Sequence, residues 1–370
     1  MKVKAFILII GFVLFISFPL LNKIIPLIPD IEGNENRRLS SFPKLQKDSL
    51  ELFSKKIENY LSEHISVRNR FIELYNRLNI FVFHSSPTNI KAFAGKDGHY
   101  FLAGEELRAY NGNKSFNKDQ LQQLKAKLLE RKKMAEINGA KLFIAIVPIK
   151  AAIYSDKMPD HIIRSEKGSM GQQILSFLQK ENFPVIDLYE PLIEARKRAE
   201  TYFNTDNHWN DWGAAVAANE VLKEIKKSFS NVQKLDLSKA IISEKIEPGN
   251  IAKILSIEKQ IKENNYLPEL SLKSKTRSIN KYNCPKDFAY CHEFQLMRIT
   301  ENDSLPSALI IRDSFGERFF PYIAEQCSKC VAIYDAWHYG ANEEIIKEEK
   351  PNIILYLVLE SNLENMLKYN

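Results

Sequence analysis

The sequence predicts an α/β protein built on a central, mainly parallel sheet flanked by helices. Three observations carry that expectation: helix-like and strand-like stretches alternate through most of the chain, the strand-like runs are short and almost continuously apolar, and turn-forming residues separate them. With 370 residues and 45% hydrophobic content, the chain can bury a sizeable core.

Read in order, Lys2 and Lys4 precede an uncharged apolar stretch from Ala5 to Leu21. Its length lies at the lower limit for crossing a bilayer, and no small-x-small cleavage site comes after it. A retained signal anchor over residues 1–25 is therefore expected. The N-terminal lysines place that end inside and the body outside, with Lys23 weakening the bias. Residues 26–43 read as a polar linker and 44–370 as one domain. Apolar residues at helical spacing predict helices from Lys47 to Leu61 and from Ser66 to Phe81. Between Ile90 and Leu102, Gly95-Lys96-Asp97-Gly98 predicts a hairpin, because Asp-Gly supplies the positive φ values of a tight turn. The alternation then runs helix Asn117 to Asn138, strand Lys141 to Val147, helix Met170 to Lys180, strand Pro184 to Leu188 and helix Asp211 to Lys227. A Lys- and Ser-rich interval from Phe229 to Lys286 reads as an insertion. Strand Ser307 to Ile311, helix Gly316 to Glu325, strand Cys330 to Tyr334 and strand Asn352 to Leu359 complete the pattern.

The net charge of +6 is spread over mixed Lys/Glu clusters, which describes a solvated basic surface and not a nucleic-acid-binding one. Four cysteines, Cys284, Cys291, Cys327 and Cys330, lie in the C-terminal third. In an exported chain the local pairs, Cys284 with Cys291 and Cys327 with Cys330, are the simplest disulfides. The Cys327–Cys330 spacing also suits a zinc knuckle, but Cys284 and Cys291 lie too far apart for its other half. No metal or other cofactor is expected.

Two segments carry chemistry. In Asp206-Asn207-His208-Trp209, a loop before a helix, Asp206 can accept from the Nδ1–H of His208 and leave Nε2 facing a nucleophile. Asp211 is available as the cap of the next helix. In Ile310-Ile311-Arg312-Asp313-Ser314-Phe315-Gly316, an apolar strand breaks into a helix with Ser314 at the junction, where unpaired amides favour a developing oxyanion. A lone serine there is usually a helix cap and a lone histidine usually structural. Together they supply a nucleophile, a base and the acid that orients it.

These residues resemble the alginate O-acetyltransferase family of SGNH-hydrolase-like proteins. The similarity rests on Asp206-Asn207-His208-Trp209 with Gly213-Ala214, and on Asp313-Ser314-Phe315. Glu35-Asn36-Arg37-Arg38, His64 with Arg68-Asn69-Arg70, the stretch Gly95 to Phe101, and Pro148 with Lys150 and Tyr154 extend it in the family's order. Arg312 stands where a Gly is common, Asn207 replaces the usual Thr and His99 a frequent Trp. The resemblance implies a three-layer SGNH-hydrolase-like fold and an exported domain that carries acetyl on Ser314 and passes it to a sugar hydroxyl. It also implies a polysaccharide acceptor and a membrane-bound O-acyltransferase as donor partner.

Arg312 and Lys150, at the sheet edge, and Trp337 and His338, in an aromatic cluster with Tyr334 and Tyr339, are candidate substrate-binding residues. The plainer readings are a salt bridge at the strand end for Arg312, a solvent-facing side chain for Lys150 and core packing for the aromatic cluster; Glu360 reads as a rim acid or a solvated one, with no role assigned. Carbohydrate esterase chemistry and a silent polysaccharide-binding scaffold are the competing readings, because the triad residues alone do not choose between water and sugar as acceptor.

Overall fold

The computed structural model describes residues 2–31, 39–44, 50–87, 91–277, 281–286, 288–340 and 343–368. The motif at residues 35–38 and the start of the helix expected from Lys47 lie outside them. Contacts divide the chain into two units, Met1–Phe93 with Ala252–Ile261, and Ala94–Ile251 with Lys262–Asn370.

In the first unit, the helix Lys2–Ile24 is apolar almost all round, and from Val3 to Ile24 its mean hydropathy is 2.5. By length and composition it can cross a membrane, and it fits an anchor or a signal. The helix Leu50–His64 comes next, then Arg68–Arg77 and one π-helical turn, Leu78–Val82. The expected start at Ser66 is displaced because Val67 is left-handed, at φ 58°, and its amide donates to the Asp30 carboxylate. The Ser66 hydroxyl accepts from Asn22 Nδ2 at 2.8 Å and donates to Asp30 at 3.2 Å. Asn76 Nδ2 bonds the Leu255 carbonyl at 2.8 Å, tying the helical segment to the short inserted one.

The strands, in chain order, are β1 (Ala92–Ala94), β2 (Tyr100–Leu102), β3 (Lys141–Val147), β4 (Ile186–Asp187), β5 (Ile241–Ile246), β6 (Glu263–Pro268), β7 (Lys275–Arg277), β8 (Gln295–Ile299), β9 (Ala308–Arg312), β10 (Lys329–Tyr334) and β11 (Ile353–Leu359). The expected hairpin is the β1–β2 ribbon, and Asp97 and Gly98 both take positive φ, 52° and 78°. In the second unit, seven strands form one sheet in the order β4-β3-β11-β9-β10-β8-β7. The run from β4 to β10 is parallel, and β8 and β7 add an antiparallel edge.

Every residue of β9 and β11 is buried, as expected of parallel strands covered on both faces. Helices Lys118–Ile137 and Met170–Lys180 pack on β3, and Gly316–Ala324 packs on β8, β10 and the helix Asp211–Lys226. Asn117 with Gln120, and Ser169 with Gln172, form capping boxes that set the starts of the first two. The interval expected as an irregular insertion contains the antiparallel β5–β6 ribbon and β7. The carboxyl ends of β3, β9, β10 and β11 reach one edge of the sheet, which collects Lys150, Ser314, Asp335 and Glu360 just beyond them.

The cysteine expectation is corrected in half. Cys284 and Cys291 are joined, whereas Cys327 and Cys330 are buried free thiols. Cys330 lies within β10, and Cys327 turns its sulfur to the Ile323 carbonyl at 3.6 Å.

Candidate active site

The loop carrying His208 is a small closed finger. Tyr202 and Trp209 bridge across its base, Phe203 N donates to His208 O at 3.2 Å, and Asn210 N donates to Thr201 O at 3.1 Å. Asn210, not Asp211, caps the next helix, accepting from Gly213 N at 2.9 Å. Asp211 is engaged elsewhere, with Arg318 at 2.6 Å.

At the tip, the Thr205 amide and hydroxyl both donate to buried Glu263 of β6, at 2.7 and 2.5 Å. Lys150 reaches the same loop from the end of β3: its Nζ donates to the carbonyls of Tyr100, Asn204 and Asp206 at 2.7, 2.8 and 3.1 Å. Burial pulls its pKa down to about 7. The side chain is 1% exposed, so the expected substrate contact is corrected: Lys150 holds the loop.

The turn that carries Ser314 is organised by Asp313. One carboxylate oxygen accepts from Phe315 N at 2.9 Å, and the other from Tyr339 Oη at 2.6 Å and Leu359 N at 2.8 Å. Burial raises this carboxyl, against the three donors that favour its charge. Because Gly316 N also donates to Asp313 O, at 3.1 Å, two amides expected to face an oxyanion are already engaged. A Cβ at Gly316 would lie 2.6 Å from Arg312 Cδ, so only glycine lets the helix start against that side chain. Arg312 is fully buried and donates to the carbonyls of Asp313, at 3.1 Å, and Glu293, with its guanidinium 5.2 Å from the Tyr334 ring centre. Both the expected substrate contact and the salt bridge are therefore corrected: Arg312 is a main-chain clamp inside the fold.

Between these segments the functional groups meet. His208 Nε2 lies 2.8 Å from Ser314 Oγ, and His208 Nδ1 lies 2.7 Å from Asp206 Oδ1. The second Asp206 oxygen accepts from Asn250 N at 2.7 Å. A Cβ on Gly249 would come within 2.5 Å of Asp206 Cβ, so glycine is what allows this segment to close on the carboxylate. Trp209 Nε1 donates to Phe315 O at 3.0 Å and fastens the histidine loop to the serine turn. Burial opposes charge on both Asp206 and His208. Their mutual hydrogen bond and attraction outweigh it, holding Asp206 well below the usual carboxylate range and raising His208 above its ordinary value.

Asn207 turns away and donates to buried Glu106 at 2.8 Å. Burial pushes Glu106 up to about 7, against that hydrogen bond. Glu360 is also buried, accepting from Ile149 N at 2.9 Å and Gly171 N at 2.6 Å, so it is neither a rim acid nor solvated. Tyr339 is buried beneath the serine turn, while Trp337 is 40% exposed and His338 reaches solvent. Among the described residues, no group of three His, Cys, Asp or Glu side chains is placed to hold a metal. Sequence reading missed Glu106, Glu263 and the role of Asp313. The Pro-Gly pair at Gly249 is the sequence signal for the segment that closes on Asp206.

A mainly parallel sheet with a Ser–His–Asp chain of hydrogen bonds at its carboxyl edge places the domain among hydrolase-like α/β folds, several of which carry that arrangement. Residues 92–282 match the family model for the SGNH hydrolase-like domain of the acetyltransferase AlgX, about half of the chain, and the protein belongs to that family. It is 25% identical over 169 residues to the probable alginate O-acetylase AlgJ of Pseudomonas syringae pv. tomato, covering 46% of this chain and 41% of that protein. The chain thus spans less than half the length of the curated relatives it matches. In fold it is similar to a DHHW family protein from Eubacterium siraeum, with TM-score 0.52 and 18% identity over 77% of this chain and 96% of that one. It is also similar to Bacillus cereus PatB1, with TM-score 0.50 and 17% identity over 67% and 92%.

Proposed function

We propose that the protein is an O-acetyltransferase that modifies an exported polysaccharide through an acetyl-serine intermediate on Ser314. The observation that carries this reading is the unbroken chain Ser314–His208–Asp206, with links of 2.8 and 2.7 Å. Family membership supports acetyl transfer, and the name of the AlgJ relative supports a polysaccharide acceptor.

In this mechanism Ser314 Oγ attacks the carbonyl carbon of a donor acetyl group while its proton passes to His208 Nε2. Asp206 accepts from Nδ1–H and stabilises the imidazolium. The tetrahedral intermediate collapses, the donor's leaving group takes the proton from His208, and acetyl stays on Ser314. A sugar hydroxyl then gives its proton to His208 and attacks the acetyl-serine, forming the sugar ester and restoring Ser314. The apolar N-terminal helix supports membrane attachment with the domain outside the cytoplasm, where a membrane-bound O-acyltransferase would present the donor. The hydrogen-bonded chain favours chemistry over a silent scaffold, since a scaffold has no use for an aligned base.

The test is intact mass of the full chain after incubation with an activated acetyl ester, beside Ser314→Ala. An acetyl adduct absent from the variant, and cleared faster with oligosaccharide than with buffer, is the expected result. Clearance by water at the same rate would make it an esterase, and no adduct on folded wild-type protein would overturn the acyl-serine mechanism.

A further inference from the structure

Among the described residues of the second unit, the aromatic side chains more than about a third exposed are Tyr290 and Trp337. Both belong to one cluster. Phe288 stacks on Tyr334 with ring centres 4.6 Å apart, meets Trp337 edge-on at 5.3 Å, and lies 6.1 Å from Tyr290. Tyr334 and Trp337 are themselves 5.4 Å apart. Core packing does not account for rings left this open to water.

The cluster is built from two braced loops. The Cys284–Cys291 disulfide closes the segment that carries Phe288 and Tyr290, which limits how far those rings can drift. Trp337 stands on the loop after β10, and that loop is bonded to the nucleophile turn: Asp335 N donates to Arg312 O at 2.9 Å, and Tyr339 Oη to Asp313 at 2.6 Å. The Asp335 carboxylate holds His338 N at 3.1 Å and Gly340 N at 2.7 Å, and Asn365 holds Ala336 O at 2.7 Å. Arg312, two residues before Ser314, lies under the Tyr334 ring. Tyr334 and Trp337 are thus tied to the turn that carries Ser314 through the Asp335–Arg312 and Tyr339–Asp313 hydrogen bonds.

Open aromatic faces with polar tips suit sugar rings, which present apolar C–H faces edged by hydroxyls. Resting on the transferase reading above, we propose that Phe288, Tyr290, Tyr334 and Trp337 form the subsite that stacks a sugar residue of the acceptor chain beside Ser314. His338 borders it. The disulfide loop is then part of the acceptor site.

The experiment uses the full-length Ser314→Ala chain and iodide quenching of tryptophan fluorescence. Trp209 and Trp212 are buried, so quenching reports on Trp337. Cellohexaose serves as a neutral probe and an oligomannuronate as an acidic one. Protection from iodide by at least one of them, lost in Tyr290→Ala and in Cys284→Ser/Cys291→Ser, is the expected result. In the active chain with an activated ester as donor, Trp337→Ala is expected to raise acceptor KM about tenfold with kcat nearly unchanged, and Trp337→Tyr to restore it. Absence of protection by both probes, or an unchanged acceptor KM in Trp337→Ala, overturns the subsite. Failure of wild-type Ser314 to acetylate would sink the transferase reading alone, since sugar stacking is read without chemistry.

Discussion

In the proposed mechanism His208 would take the Ser314 proton only as the neutral ring, and the Asp206 hydrogen bond and charge outweigh burial to raise its pKa. Acylation of Ser314 is therefore expected to fall on the acid side with a midpoint above the ordinary histidine value of about 6.5. Asp206→Asn removes the charge and favours the wrong tautomer, so the rate should drop by about 10⁴-fold and that acid limb should move down. A pH–rate profile of ester-driven acylation measures both. Glu106 offers a second titration. With its folded pKa raised from 4.5 to about 7, the folded chain keeps a proton that the unfolded chain has released. Stability therefore falls as pH rises through that window, by on the order of 3 kcal/mol at most. Glu106→Gln keeps an acceptor for Asn207 and loses the titration. Urea melts near pH 5 and pH 8 should show the variant losing less stability than wild type, and equal losses would remove Glu106 as the cause.

Among the elements, the 248–251 segment reaches Asp206 by main chain alone, and at Gly249 a Cβ has no room beside Asp206 Cβ. Gly249→Ala should displace the carboxylate and cut acylation by roughly 10–100-fold while the fold persists, because a small misplacement of a catalytic group is expensive. Circular dichroism beside the ester assay separates that outcome from unfolding. This is also where reading the sequence stopped short. The parallel strands were legible as continuous apolar runs, with β3 matching from Lys141 to Val147, and Asp97-Gly98 announced its turn. Asp206, His208 and Ser314 stood out because their chemistry is written in local spacing. Their supports come from far along the chain: Glu263 for Thr205, Asn250 for Asp206, and Leu359 for Asp313. Lys150, Arg312 and Glu360 looked like surface charges for the same reason, since the carbonyls and amides that satisfy them are set by tertiary packing.

For the whole molecule, the apolar helix Lys2–Ile24 and the Cys284–Cys291 disulfide make joint demands on compartment. The helix can cross a bilayer, with Lys2 and Lys4 on its N-terminal side favouring export of the chain beyond Ile24. A disulfide on a surface loop persists outside the reducing cytoplasm. The buried thiols of Cys327 and Cys330 are an internal control, since they react with an alkylating agent only after the chain is unfolded. When cells are treated with a permeant alkylating agent and the protein is then extracted from membranes, Cys284 and Cys291 should stay unmodified until a reductant is added. Cys327 and Cys330 should label in denaturant without any reductant. Deleting residues 2–24 should leave the chain in the cytosol with Cys284 and Cys291 reduced and alkylated. Labelling of that pair in the full-length protein without reductant would place the domain on the cytoplasmic side and withdraw the exported polymer as its acceptor.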